Sequence, residues 1–199
     1  MIHRLINSKP RLAALALTVL AIAGVSCGDF TGVPASLPTV TDSGTAYALN
    51  GAPLGAPTAL HGASGTLIPA DANFVFDVAF DLDSVAGTVL VLPQRAVASG
   101  LATTHQVSLA TVDGDFASVT SVPKSLTFRA DTALRVNRNQ VVIAQITDAT
   151  QCGFSLSGTT LFVKFAIRSI NRDARTMDII YTSDPNCGFR SFASGVPKD

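Results

Sequence analysis

The chain carries three histidines, His3, His61 and His105, and fourteen carboxylates, every one an aspartate. Beyond the first few residues, a histidine base can only be His61 or His105, and a carboxylate partner can only be an aspartate. A serine hydrolase needs a nucleophile, a histidine base and an orienting acid in contact. His61-Gly62-Ala63-Ser64-Gly65 offers the first two, but the G-x-S-x-G elbow requires glycine at 66, where Thr66 stands. No strand-to-helix pattern follows, so the segment reads as a glycine-rich turn. His105 opens an alternating apolar stretch and reads as a surface or rim residue. Two histidines do not make a His-rich zinc site without aspartate ligands. Glycoside hydrolysis wants two carboxylates beside aromatic platforms; with no Glu and no Trp, only Tyr47 and Tyr181 combine a ring with a polar tip.

Calcium is the metal that the residue types fit best. Asp81 and Asp83 fall on one face of a strand pattern, and Asp113-Gly114-Asp115 sets two hard oxygen ligands around a flexible turn. A solvated acidic strand and an ordinary D-G turn account for the same four residues without an ion, so no cofactor is expected. Basic residues group as Lys124, Arg129, Arg135 and Arg138, then Lys164, Arg168, Arg172 and Arg175. Such groups suit an anionic partner, lipid headgroups or an envelope polymer. Nucleic acid is not expected as a partner, because aromatic-basic recognition modules are missing.

The first residues say where this chemistry is placed. Arg4, Lys9 and Arg11 precede Leu12 to Val25, fourteen residues that are all apolar or small except one Thr. A run of that length is too short to cross roughly 30 Å of hydrocarbon and reads as a secretory signal. Ala21-Ile22-Ala23 is one cleavage site. Gly24-Val25-Ser26-Cys27 is another, and it resembles the lipobox of bacterial lipoproteins, with small Ser26 before the cysteine and Gly24 where the family usually has an aliphatic residue. The resemblance covers residues 1–28. It implies cleavage after Ser26, acylation of Cys27, and a chain held at the membrane by its lipid anchor in the bacterial cell envelope. Three acyl chains, at about 0.8 kcal/mol per buried CH₂, make such attachment long-lived. Gly28 after the cysteine goes with outer-membrane sorting in this family, facing periplasm or surface. In that oxidising space two of the three cysteines would pair. Cys152-Gly153-Phe154 and Cys187-Gly188-Phe189 share a pattern that suggests two equivalent strand starts, and a Cys152–Cys187 disulfide leaves Cys27 as the odd thiol at the acylated position.

From Cys27 on, charge is uneven: one base and eight Asp up to Thr120, then ten bases and six Asp. Complementary halves of one fold explain this without a ligand. Helix formers such as Glu, Lys and Met are scarce, while Gly, Pro and Phe are frequent, which favours strands and turns. Residues 27–44 read as the lipidated cysteine and a flexible tether, and 45–199 as a single domain. Strands are expected at 45–49, 58–61, 73–83, 87–92, 105–112, 125–129, 140–146, 159–170, 175–182 and 188–193. In the clearest, Phe74, Phe76, Val78, Phe80 and Leu82 face a core while Asp77, Asp81 and Asp83 face water. A three-residue loop, Arg172-Asp173-Ala174, would set Ile167 opposite Ile179, Phe165 opposite Tyr181 and Arg168 opposite Asp178.

The fold class is therefore all-β, an antiparallel β-sandwich or jelly-roll-like domain behind a signal and lipid-anchor segment. The functional expectation is a lipid-anchored envelope protein with a non-catalytic binding or structural domain, open to an envelope polymer or protein partner. The alternatives are a carbohydrate- or small-ligand-binding lipoprotein and an Asp-dependent hydrolase.

Overall fold

The computed structural model describes residues 34–198, apart from 74, 86, 99, 101–103, 154 and 156. Cys27, and the signal and most of the tether expected around it, lie outside the described residues. Among the described residues, period-two apolar patterning and frequent turn residues give eleven strands. They are β1 (Val40–Tyr47), β2 (Ala59–His61), β3 (Thr66–Ile68), β4 (Val78–Leu82), β5 (Thr88–Pro93) and β6 (His105–Val112), then β7 (Arg129–Ala130), β8 (Leu134–Asn137), β9 (Val141–Asp148), β10 (Thr160–Asn171) and β11 (Thr176–Asp184). Two single-turn helices, α1 (Gln94–Val97) and α2 (Ala149–Cys152), follow β5 and β9. Six strands form one sheet in the order β1-β11-β10-β9-β6-β7, five the other in the order β3-β2-β4-β5-β8, and the paired neighbours are antiparallel.

The core lies between the sheets because each presents an alternating apolar face. Leu161, Val163, Phe165 and Ile167 of β10 meet Leu60, Val78 and Phe80 of the other sheet, all essentially inaccessible. Phe80 and Phe165 join the layers edge to face at 5.6 Å between ring centroids, a geometry worth about 1 kcal/mol beyond the area the rings bury. The six-stranded sheet also covers its outer face. Val141, Ile143 and Phe162 pack there under Val119, Val122 and Phe192 from the 113–128 connection and the C-terminal segment.

The hairpin register in the core is as expected, with Phe165 opposite Tyr181 and Ile167 opposite Ile179. It is reached differently. The loop has four residues, Arg172 to Arg175, the last at φ +52°, and a bulge at Arg168 absorbs the extra residue. Asp178 therefore faces Ser169, not Arg168, and accepts hydrogen bonds from Ser169 Oγ at 2.6 Å and Thr45 Oγ1 at 2.7 Å.

Other expectations are corrected. Order begins well before Thr45: β1 starts at Val40, so 34–44 belongs to the folded body. The 188–193 segment bridges Ser121 through Ser191 but forms no strand, and 125–129 contributes only Arg129 to β7. Strands β3 and β8 went unexpected because each is a short edge strand with little alternation. Cys152 closes α2 and Cys187 lies in a loop, so their shared Cys-Gly pattern does not mark strand starts; Phe154 lies outside the described residues.

Candidate functional site

Asp77 and His105 do not sit where the alternation put them. Asp77 precedes β4 in one sheet and is 3% exposed, and His105 opens β6 in the other. The imidazole crosses the gap between layers. Its Nε2 lies 2.9 Å from Asp77 Oδ1, off the line of the ring N–H, and its Nδ1 lies 3.2 Å from Asp148 Oδ2. His105 is thus a bridge between the sheets, not a rim residue, because β6 and β9 end in register, His105 opposite Asp148. Asp77, expected in water, is buried.

Each carboxylate has a second task. Asp77 Oδ2 accepts from Gly62 N at 2.5 Å, drawing the β2–β3 turn onto the bridge. Only glycine allows that approach, since a Cβ at 62 would lie 2.3 Å from Ile146 Cδ1 and 2.8 Å from Val163 Cγ2. Asp148 Oδ1 caps α2, accepting from Thr150 N at 2.7 Å and Gln151 N at 3.1 Å. Asp77 beside the ring raises the pKa of His105 above its ordinary 6.5, against the opposing effect of burial, and Asp148 adds to the rise. Asp148 itself is held below its ordinary value: burial opposes this, but the α2 backbone N–H groups and His105 outweigh it. The cluster can hold a proton between two sheets and a helix start.

His61 stands apart. His61 Nδ1 is 2.7 Å from Ser64 Oγ, which is also 2.5 Å from Thr66 Oγ1, all within the turn from β2 to β3. The Ser64–His61 contact is a turn interaction between residues three apart.

The four calcium candidates are not brought together. Arg135 pairs with Asp83 and holds its carboxyl at about 2, below the ordinary 3.8. Arg175 Nη2 is 3.4 Å from Asp81 Oδ1. Asp113 and Asp115 are exposed on their turn, and among the described residues no group of three potential ligands is placed to hold a metal. These pairs explain the uneven charge, since aspartates of the acidic half meet arginines of the basic half. They also divide the basic groups. Arg135 and Arg175 are committed to carboxylates, and Arg172 donates to the backbone oxygens of Asp83 and Val85. Lys124 lines a cleft of 460 Å³ with Arg190, Ser121 and Ser191. Arg168 lines a different, open one.

Lys164 is the largest departure from the charge reading. It points from the outer face of β10 and is 3% exposed. Its Nζ donates to Phe116 O at 2.7 Å and Val119 O at 2.8 Å, and lies 4.1 Å from the centroid of the Phe116 ring. Burial lowers its pKa. The available signal was a lone cation inside the apolar run Leu161 to Ile167. Lys164→Ala should cost about 3 kcal/mol by stranding two buried carbonyls. Limited proteolysis should then cut the 113–128 segment at rates the parent chain does not show.

A last polar group fixes the start of the body. Asp184 is fully buried, and burial raises its pKa against the opposing bonds from Asn186. Its Oδ1 accepts from Asn186 N at 3.0 Å and Nδ2 at 2.8 Å. Asn186 in turn receives Ser36 N and Leu37 N on Oδ1 and donates to Leu37 O. Next to it, Cys187 is joined to Cys152 with Cα atoms 5.7 Å apart, the expected pairing. Tyr181 is 3% exposed, so it offers no stacking platform.

The fold and its polar groups define a disulfide-pinned, two-sheet antiparallel sandwich with an Asp77–His105–Asp148 bridge between its layers. Compared with known protein families, curated proteins and solved structures, the chain finds no match.

Proposed function

We propose that this is a lipid-anchored protein of the bacterial cell envelope whose body is a non-catalytic binding or structural β-domain. The observation that carries the reading is the Cys152–Cys187 disulfide. Structural disulfides persist in exported proteins, and this one leaves Cys27 as the odd cysteine, directly behind a short apolar run. The polar cluster supports a structural role. Both nitrogens of His105 face carboxylates that also hold Gly62 and the start of α2. An Asp-based hydrolase draws less support, because Asp77 and Asp148 are spent on those tasks and Asp81 and Asp83 on arginines.

The test is mass spectrometry of the native protein with thiols alkylated before unfolding. The expected N-terminal residue is Cys27 bearing acyl chains, with residues 152 and 187 unalkylated and linked. Cys27→Ser should leave the membrane fraction. Full-length, unacylated polypeptide in the cytosol with three free thiols would overturn the reading.

A further inference from the structure

Three large apolar side chains that remain exposed gather where the chain enters the body. Leu37, Val40 and Val196 are 51%, 41% and 47% exposed. They flank one backbone bridge, Thr39 to Gly195, in which Thr39 N donates to Gly195 O at 2.9 Å. Thr39 Oγ1 also donates to Ala193 O at 2.6 Å, and Asn186 holds Ser36 and Leu37, so the patch stands on fixed backbone. Val75, another exposed apolar residue, lies at the same end, two residues before Asp77. Single exposed leucines need no explanation. These three share one pinned strand start, through the Thr39–Gly195 bridge, so a single apolar surface meeting that end covers them together.

The length of chain leading to Cys27 indicates which. Ser36 is the first residue that Asn186 holds, nine positions after Cys27. Even fully extended, that connection reaches at most about 30 Å. A tether ending at Gly44 would have reached about 60 Å and left the body free to sample any orientation. With the shorter span, a body anchored through Cys27 keeps the Leu37 end close to the headgroups. The far end of β1 leads into the turn carrying Leu54, a strand length of about 26 Å away.

We propose that Leu37, Val40 and Val196 form a docking surface for the lipid bilayer, inserting at the headgroup boundary and holding the sandwich end-on to the membrane. The inference rests on acylation of Cys27. The bilayer covers apolar side chains that would otherwise stay wet, and the acyl chains supply the local concentration that makes so small a patch effective.

Full-length acylated protein is placed in phosphatidylethanolamine and phosphatidylglycerol vesicles whose acyl chains are brominated. An environment-sensitive fluorophore is attached at Val196→Cys or, separately, at Leu54→Cys, 106% exposed at the opposite end. Quenching several-fold stronger at 196 than at 54 is expected. Adding Leu37→Asp and Val40→Asp should bring the signal at 196 down to that at 54, with the β-sheet circular dichroism unchanged. Equal quenching at the two positions overturns the docking and leaves the anchor standing. An unquenched probe at 196, with protein that crosslinks as a dimer through the patch, gives the surface to a second copy and equally overturns it. The acyl mass on Cys27, read from the same sample, separates the two ideas, since its absence removes the anchor and the docking together.

Discussion

His105→Ala is expected to destabilise the fold by about 3 kcal/mol, because it leaves buried Asp77 without the ring that partners it across the sheets. Asp77 would keep only Gly62 N, and Asp148 only the α2 cap. The pH dependence carries the sharper information. The folded-state pKa of His105 is raised, so its stabilisation is fully present below 6.5 and is lost as pH rises through the folded value. Asp83 and Asp148 have lowered values, so theirs is present above 3.8 and is lost as pH falls. Urea midpoints followed by circular dichroism should therefore be highest between about pH 5 and 6.5 and decline toward pH 9. Asp184, raised by burial, runs against the two lowered aspartates, its contribution falling as pH rises from 3.8 through its folded value, so the variant is needed to isolate the His105 part. In His105→Gln the His105 part of the decline should vanish, while the acid limb keeps its Asp83 part and loses only the share of Asp148 that His105 supports. An alkaline limb unchanged by that substitution would show that the bridge carries no protonation energy.

Removing the disulfide is the second large change. Cys152→Ala with Cys187→Ala opens a loop that spans 35 positions, at a cost of about 4 kcal/mol on the chain-entropy account. For a body of this size that corresponds to a melting temperature lower by about 10 °C. The effect should be uneven along the chain. Cys187 adjoins Asn186, which holds Ser36 and Leu37, and Cys152 ends the helix that Asp148 caps. Amide exchange should accelerate first at 34–40, 148–152 and 184–189, with the β9–β10–β11 centre protected until global unfolding. Uniform acceleration would mean that the crosslink acts only through the unfolded chain.

The elements that read cleanly in the sequence are those whose pattern is local. β6 runs His105–Val112 as its alternation demands, and β9, β10 and β11 fall within a residue or two of their expected spans. Phe165 and Tyr181 face each other because the same register sets Ile167 against Ile179 in the core. The disulfide followed from counting cysteines. Edge strands β3 and β8 were silent, since three or four residues on a sheet edge need bury nothing that repeats.

The sequence by itself determined an all-β chain, its long strands and their core-facing residues, and the pairing of the two late cysteines, because period two and cysteine parity are properties of neighbours or counts. Tertiary structure alone decided the fate of the charges. Asp77 and Asp83 read as wet from alternation, yet one meets His105 across the sheets and the other Arg135 on β8. Lys164 read as a surface cation, yet Phe116 and Val119 cover it from a segment 45 to 48 residues away. Alternation tells which side of its own sheet a residue occupies. Whether that side meets water, a second sheet or a crossing loop depends on chain far away in sequence, and burial of a charge is tolerable only where that distant chain brings its partner.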